Sequence, residues 1–245
     1  MSKMFAVMRR EFAGYFATPL GVVFIIVFLL TNSVATFYLG DYFAAGQADL
    51  QIFFSFQPWI YLFFLSAISM RLWAEERRNG SIELLLSLPI ALPAIVMGKY
   101  LAALGFAGFA LLGTLPIWFS VNYLGSPDNG VILSGYVGSF FVAAGYLAIG
   151  MCASACTRNQ IIAFVVAVMA CLLFTLSGAP LVLDLLRGLV PQILLDVIAS
   201  FSVILNVRGF TNGVIDARAL IFFISLIGGF LVATIIIVDA KRGDA

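Results

Sequence analysis

The chain has 245 residues, 63% of them hydrophobic and only 10% charged, and a mean hydropathy of +1.11. That profile excludes a soluble core of this size, and a net charge of +1 without a basic stripe argues against nucleic acid as a partner. Histidine is absent, which removes the commonest general base and transition-metal ligand, so hydrolase and zinc-site readings lose most of their support.

In chain order, Lys3, Arg9, Arg10 and Glu11 interrupt the place where a signal peptide would begin its apolar run. Phe5, Met8, Phe12, Tyr15 and Phe16 recur at helical period, with Lys3, Arg9, Arg10 and Gly14 largely off that stripe. Residues 1–18 therefore read as an interfacial helix lying on a membrane surface, the alternative being a positive flank of the first span. Thr18 and Pro19 end it.

Six apolar spans follow, at about Leu20 to Tyr38, Ile52 to Trp73, Leu101 to Leu124, Val131 to Cys156, Ile161 to Leu183 and Leu220 to Val238. The expectation is an all-α polytopic membrane protein, a single domain over 1–245. Lys3, Arg9, Arg10, Arg71, Arg77, Arg78, Lys99, Arg158, Lys241 and Arg242 fall on one side, and Arg187, Arg208 and Arg218 on the other. The positive-inside bias then makes both termini cytoplasmic. Residues 184–218, with Asp184, Arg187, Pro191, Asp196 and Arg208, read as short helices dipping into the outer face. A seventh crossing near 190–207 would violate the charge rule.

Every ionisable residue is expected at or beyond a span end, which disfavours an ion-coupled carrier. Thr31, Asn32, Gln57, Thr114 and Thr175 either line a passage or bond locally to helix backbone. Ala144, Ala148, Cys152 and Cys156 form a small-residue ladder suited to close helix packing. Cys152 and Cys156 share a helix face but lack a third soft ligand, and Cys171 lies alone in an apolar run, so neither a metal site nor a disulfide framework is implied.

The densest charge lies in RLWAEERRNGSIELLLSLP, residues 71–89. The second span is expected to continue through Glu75, Glu76, Arg77 and Arg78 and to break at Asn79 and Gly80. An amphipathic helix capped by Ser81 should follow, with Ile82, Leu85 and Leu86 on one face, until Pro89 stops it. A solvated loop that merely anchors topology is the bland alternative.

The run AEERRNGSIELLLSLP resembles the signature of ABC-2 type permeases, the membrane subunits of bacterial ABC exporters. FATPLGVVFIIVFLL, GKYLAAL (98–104), GYLAIGMCASACTRNQIIAF (145–164) and FTNGVIDARAL (210–220) extend the likeness to the gliding-motility-type branch, with nitrous-oxide-reductase-maturation permeases as relatives. The resemblance implies six transmembrane helices, an N-terminal elbow helix whose Phe5, Met8, Arg9, Arg10 and Phe12 meet the interface, and a cytoplasmic coupling region over 74–90. It implies an ATPase-coupling interface at Glu75, Glu76, Arg77, Arg78, Gly80 and Glu83. Implied partners are a separate ABC ATPase subunit that binds ATP and Mg, a second copy or a homologous permease, membrane lipids and a periplasmic subunit. The implied location is the bacterial cytoplasmic membrane.

The chain has no phosphate-binding loop of its own, since Gly98, Lys99 and Tyr100 lack the upstream glycine and the hydroxyl, so no cofactor is expected in it. Two other readings remain: a mechanical transmitter acting on an extracytoplasmic partner without moving a solute, and a membrane enzyme using Asp184 and Asp196, which no paired motif accompanies.

Overall fold

A computed structural model describes residues 3–42, 49–83, 89–187 and 191–241, and these residues form helices with no strand. Helix α1, Lys3–Ala17, stops where Thr18 becomes extended, and Pro19 opens α2, Pro19–Val34, which runs on into a π-helical turn at Ala35–Leu39. Helix α3, Gln51–Ser69, is continued after Met70 by α4, Arg71–Arg78. Gly80 then turns the chain at φ +70°, a conformation that costs a residue with a Cβ about 1 kcal/mol or more.

Proline in its first turn starts α5, Leu92–Leu112. After Gly113 and Thr114 the chain resumes as α6, Leu115–Leu124. The long helix α7, Asn129–Cys156, is capped by Asp128, whose Oδ1 accepts from the Gly130 N–H at 2.8 Å. Helix α8, Gln160–Leu176, is capped by Asn159 in the same manner. Three short helices follow, α9 (Pro180–Leu186), α10 (Gln192–Ser200) and α11 (Val203–Thr211), and α12, Ala217–Ala240, closes the fold behind its Asp216 cap.

Among the described residues five apolar helices are long enough to cross a membrane: Pro19–Leu39, Gln51–Arg78, Leu92–Leu124, Asn129–Cys156 and Ala217–Ala240. The pair α10 and α11, bent by 60°, makes a sixth if it is one broken span. Short helices were expected over 184–218, and the described residues there form short helices, with α10 and α11 parted at 201–202. The expected span at 161–183 is α8, whose 17 residues give about 25 Å, somewhat under the ~30 Å hydrocarbon core. The third helix begins at Leu92 rather than 101, because Pro93 fits the first turn of a helix and nothing stops it earlier.

Helix α7 is the axis. Of its apolar stretch 78% is buried inside the protein, against 28% for α2 and for α12, and it packs on α3, α4, α5, α8, α11 and α12. Pairwise contacts fix the directions. Phe28 stacks on Tyr61, and Phe24 meets Phe64, so α2 runs antiparallel to α3. Phe54 meets Tyr136 while Trp73 lies beside Ser154, so α3 and α4 run along α7. Tyr100 with Ala144 and Thr114 with Tyr136 reverse α5, and Tyr146 with Thr175 reverses α8. Lys241 Nζ donates to the Ala155 and Cys156 carbonyls, which sets α12 parallel to α7. Residues 3, 71–78, 89–99, 154–160 and 241 therefore gather at one end of the bundle.

Several polar side chains in the interior bond to their own helix backbone or across to a neighbouring helix. Gln57 donates to Asn32 at 2.7 Å, Asn32 to the Phe28 carbonyl, Thr114 to the Leu111 carbonyl and Thr175 to the Cys171 carbonyl, whereas Thr31 faces outward. The small-residue ladder is corrected in part: Ala144 and Ala148 are buried, but Cys152 is half-buried and Cys156 exposed. The closest approach on α7 is at Gly150, where a Cβ would stand 2.0 Å from Ser69 Oγ.

Candidate functional site

The end of the bundle where both described termini meet also holds the charge cluster, and a buried lysine organises it. Lys99 sits two turns into α5 with 1% of its surface exposed. Its Nζ bonds Glu76 Oε1 at 2.8 Å and lies 3.3 Å from Glu11 Oε1, with the Trp73 ring centroid 5.5 Å away. A lone buried ammonium is prohibitively expensive, so two carboxylates and an aromatic face are what permit it. Three elements, α1, α4 and α5, are thereby tied at one atom.

Lys99 lies two turns into the apolar helix Leu92–Leu124, at the end of the bundle where the charged residues gather. A helix begun at Pro93 includes residue 99, but nothing in the local sequence of α5 points to its carboxylate partners on α1 and α4. Glu11 and Arg71 were likewise not singled out as site residues. Glu11 lies on the same face as Val7 and Tyr15, the face that packs on α5. Tyr15 belongs to the apolar stripe of α1, whereas Val7 and Glu11 beside it do not.

Helix α1 lies tightly along α5. A Cβ on Gly98 would come within 2.9 Å of Val7 Cβ, so the glycine is what allows the approach. Tyr15 stacks on Phe106 at 4.7 Å, and Phe12 packs against the core, while Phe5 and Phe16 remain about 40% exposed. Burial, reinforced by the Glu11 carboxylate and opposed by Arg71, holds the Tyr15 phenol far above its ordinary range. Met8 is half-buried; Arg9 and Arg10 are exposed.

The residues of the charged run divide by direction. Glu75 takes a bidentate pair from Arg71, with Nε to Oε2 at 2.7 Å and Nη2 to Oε1 at 3.2 Å, and Glu76 turns inward to Lys99. Arg77 is half-buried. Arg78, Gly80 and Glu83 are exposed. The expected amphipathic helix after Gly80 is helical at 81–83; its Leu85, Leu86 and Ser87 lie outside the described residues. Beyond it, Lys3 Nζ donates to the Pro89 carbonyl, so α1 meets the far side of the same loop.

The junction of α3 and α4 is clamped by Ser154 of α7. Its Oγ accepts from the Trp73 and Ala74 N–H groups at 3.1 and 3.0 Å and donates to the Met70 carbonyl at 2.9 Å. One hydroxyl thus uses its donor and both lone pairs on the backbone of the emerging helix.

Between α1, α2, α4 and α5 lies a cavity of about 290 Å³, lined by both signs of charge and by Tyr15, Phe24, Ile68 and Leu72. At the opposite end, Asp184 pairs with Arg187 at 2.8 Å on the exposed surface, with no second carboxylate brought to it among the described residues. No group of three metal-ligating side chains occurs among the described residues. The chain matches no protein-family model and no curated protein.

Proposed function

We propose that this protein is the membrane subunit of an ABC-2 type exporter, with six transmembrane helices, cytoplasmic termini and an N-terminal elbow helix. In this reading ATP hydrolysis by a separate ATPase chain drives a change of packing in the paired membrane domains. The observation that carries it is the build of the charged end. A helix long enough to span the membrane projects a charged turn, α4, and presents Arg78, Gly80 and Glu83 outward. Glu76 turns inward and ties that turn to α5 through Lys99, which also reaches Glu11 of α1, and Ser154 of α7 holds its backbone at Trp73 and Ala74, while Glu75 pairs with Arg71 along α4 itself. Exposed charges at the tip give a partner a handle, and the buried pairs carry its displacement into the bundle. A partner's leverage is bounded by how much its binding differs between the two packings.

A mechanical transmitter is the second reading, favoured by the far end, where α9 and α10 expose Leu181, Leu185 and Ile193 by 69–76% and so offer an apolar surface to an extracytoplasmic partner.

Co-purification decides the first element. The protein expressed in its own host should retain a nucleotide-hydrolysing chain, and Arg78→Glu combined with Glu83→Lys should release it while the variant still inserts in the membrane. Retention undiminished by that double charge reversal, or no ATPase in the assembly, rejects the reading. Vesicles then separate export from transmission: accumulation of a solute or lipid supports the former, and hydrolysis that responds only to an extracytoplasmic partner the latter.

A further inference from the structure

Asparagine followed by glycine occurs three times in the chain, at 79–80, 129–130 and 212–213. Glycine has no Cβ to shield its own amide nitrogen, so in this dipeptide that nitrogen can approach the side-chain amide carbon of the asparagine before it. All three asparagines are exposed, so exposure does not separate them. Their surroundings do.

At Asn129 both reacting groups are held. Its Oδ1 accepts from Trp118 Nε1 at 2.7 Å and from Asn122 Nδ2 at 3.0 Å, its Nδ2 donates to Asn122 Oδ1 at 3.1 Å, and the Gly130 N–H donates to Asp128 Oδ1 at 2.8 Å. At Asn212 the side chain makes no hydrogen bond among the described residues. The turn around it is nonetheless closed: the Gly213 N–H donates to the Phe210 carbonyl at 3.1 Å, the Val214 N–H to the Gly209 carbonyl at 2.9 Å, and Val131 stands 2.9 Å from where a Cβ on Gly213 would be.

Asn79 is the least restrained of the three. Its side chain makes no hydrogen bond among the described residues and borders an opening of about 320 Å³ beside Arg78 and Gln160. The Gly80 N–H donates to the Arg77 carbonyl only at 3.4 Å, past the usual range, and a Cβ on Gly80 would meet no atom within 4 Å. Helix α4 has already ended there, so the peptide unit between Asn79 and Gly80 turns at little cost.

We propose that Asn79 is a self-modifying site that converts to aspartate and isoaspartate through a cyclic imide, with Asn212 slower and Asn129 protected. The Gly80 nitrogen gives up its proton to solvent hydroxide and attacks Asn79 Cγ. The N–Cγ bond forms, the Cγ–Nδ2 bond breaks, and the side-chain nitrogen leaves as ammonia with a proton from water. Water then opens the imide at either carbonyl, so water is consumed, ammonia is released and nothing is oxidised or reduced. Base drives the first step, and the rate rises with pH. The product places a carboxylate beside Arg78 at the C-terminal end of α4, where the carbonyl dipoles already concentrate negative charge. Opening at the backbone carbonyl also adds a methylene to the main chain. The exposed tip thus becomes less positive and changes shape without any enzyme. The inference needs only the turn and holds whether or not a partner docks there.

The test is peptide mass mapping of the full chain in detergent, aged in heavy-oxygen water and digested in ordinary water, so that only conversion before digestion is labelled. Cleavage after Glu76 and Glu83 isolates residues 77–83. Asn79 should convert at least about tenfold faster than Asn129, the weight of one to two hydrogen bonds that must break at the latter, and Asn212 should fall between them. In the chain unfolded by a denaturing detergent the three rates should converge, because only the dipeptide then governs them. Asn122→Ala, at an exposed position, removes two of the three bonds to the Asn129 side chain; it should speed conversion at residue 129 and leave residue 79 unchanged. Asn79 converting no faster than Asn129 in the folded chain, a spread of rates that persists after unfolding, or an Asn129 rate indifferent to Asn122→Ala would overturn the assignment.

Discussion

Lys99 shows how a single residue is held in an otherwise apolar bundle. Its Nζ has two carboxylate partners, and Glu76 and Glu11 in turn have no other cation at hydrogen-bonding distance among the described residues. Removing one member of a buried pair leaves the other uncompensated, at a cost of about 3–5 kcal/mol, which exceeds what the intact pair contributes over an apolar replacement. Lys99→Met should therefore lower the unfolding midpoint in detergent severely, and Lys99→Met with Glu76→Gln should recover part of the loss. A double variant no better than the single one contradicts the pairing. Ser154 makes a comparable case among neutral groups. Ser154→Ala strands two N–H groups at the α3–α4 junction, and its expected cost is about 1–3 kcal/mol. Ser154→Cys, with a weak acceptor of similar size, should fall between alanine and wild type in the same measurement.

At the scale of elements, the N-terminal helix depends on its fit to α5. Val7, Glu11, Phe12, Tyr15 and Phe16 all meet that helix, with Gly98 and Gly105 at the close approaches, while Phe5 and part of Phe16 stay exposed. Gly98→Val forces branched atoms into a gap that already excludes a Cβ, so α1 should lift from α5. A cysteine introduced as Val7→Cys, buried at 8% exposure in the native packing, should then react with a maleimide at least about tenfold faster. Unchanged reactivity would show that α1 is held by other contacts. The helix boundaries around it were largely readable in the sequence, because Thr18–Pro19 and Gly80 carry their conformations in their own chemistry. The inward turn of Glu76 was not, because which face of α4 is buried depends on where α7 places Ser154, and no local pattern in Ala74–Arg78 records that.

For the whole molecule, composition alone identified a helical chain with several membrane-length segments, since that follows from hydropathy and from the need to satisfy backbone groups within each span. The order of packing around α7 was less legible. Four residues at fourfold spacing suggested a ladder, yet close approach falls at Gly150 against Ser69 instead, because complementarity is a property of two surfaces. The gathering of residues 3, 71–78, 89–99 and 241 at one end makes a topological prediction. In a cysteine-free background, Arg78→Cys should be modified by an impermeant reagent only from the side that also reaches the C-terminus, and Asp216→Cys, at the start of α12, only from the other. Modification of both from one side would contradict the parallel run of α12 with α7.

The Ser154 hydroxyl has a mechanical meaning as well. A rod that leaves its bearing unsupported wastes an applied torque in bending at the exit, but here the exit point is bolted to the central axle by three short bonds at about 3 Å. On the proposed coupling function, a push delivered at Arg78 turns the shaft instead of flexing the tip, and loosening that bolt should leave the partner's grip intact while its stroke is lost.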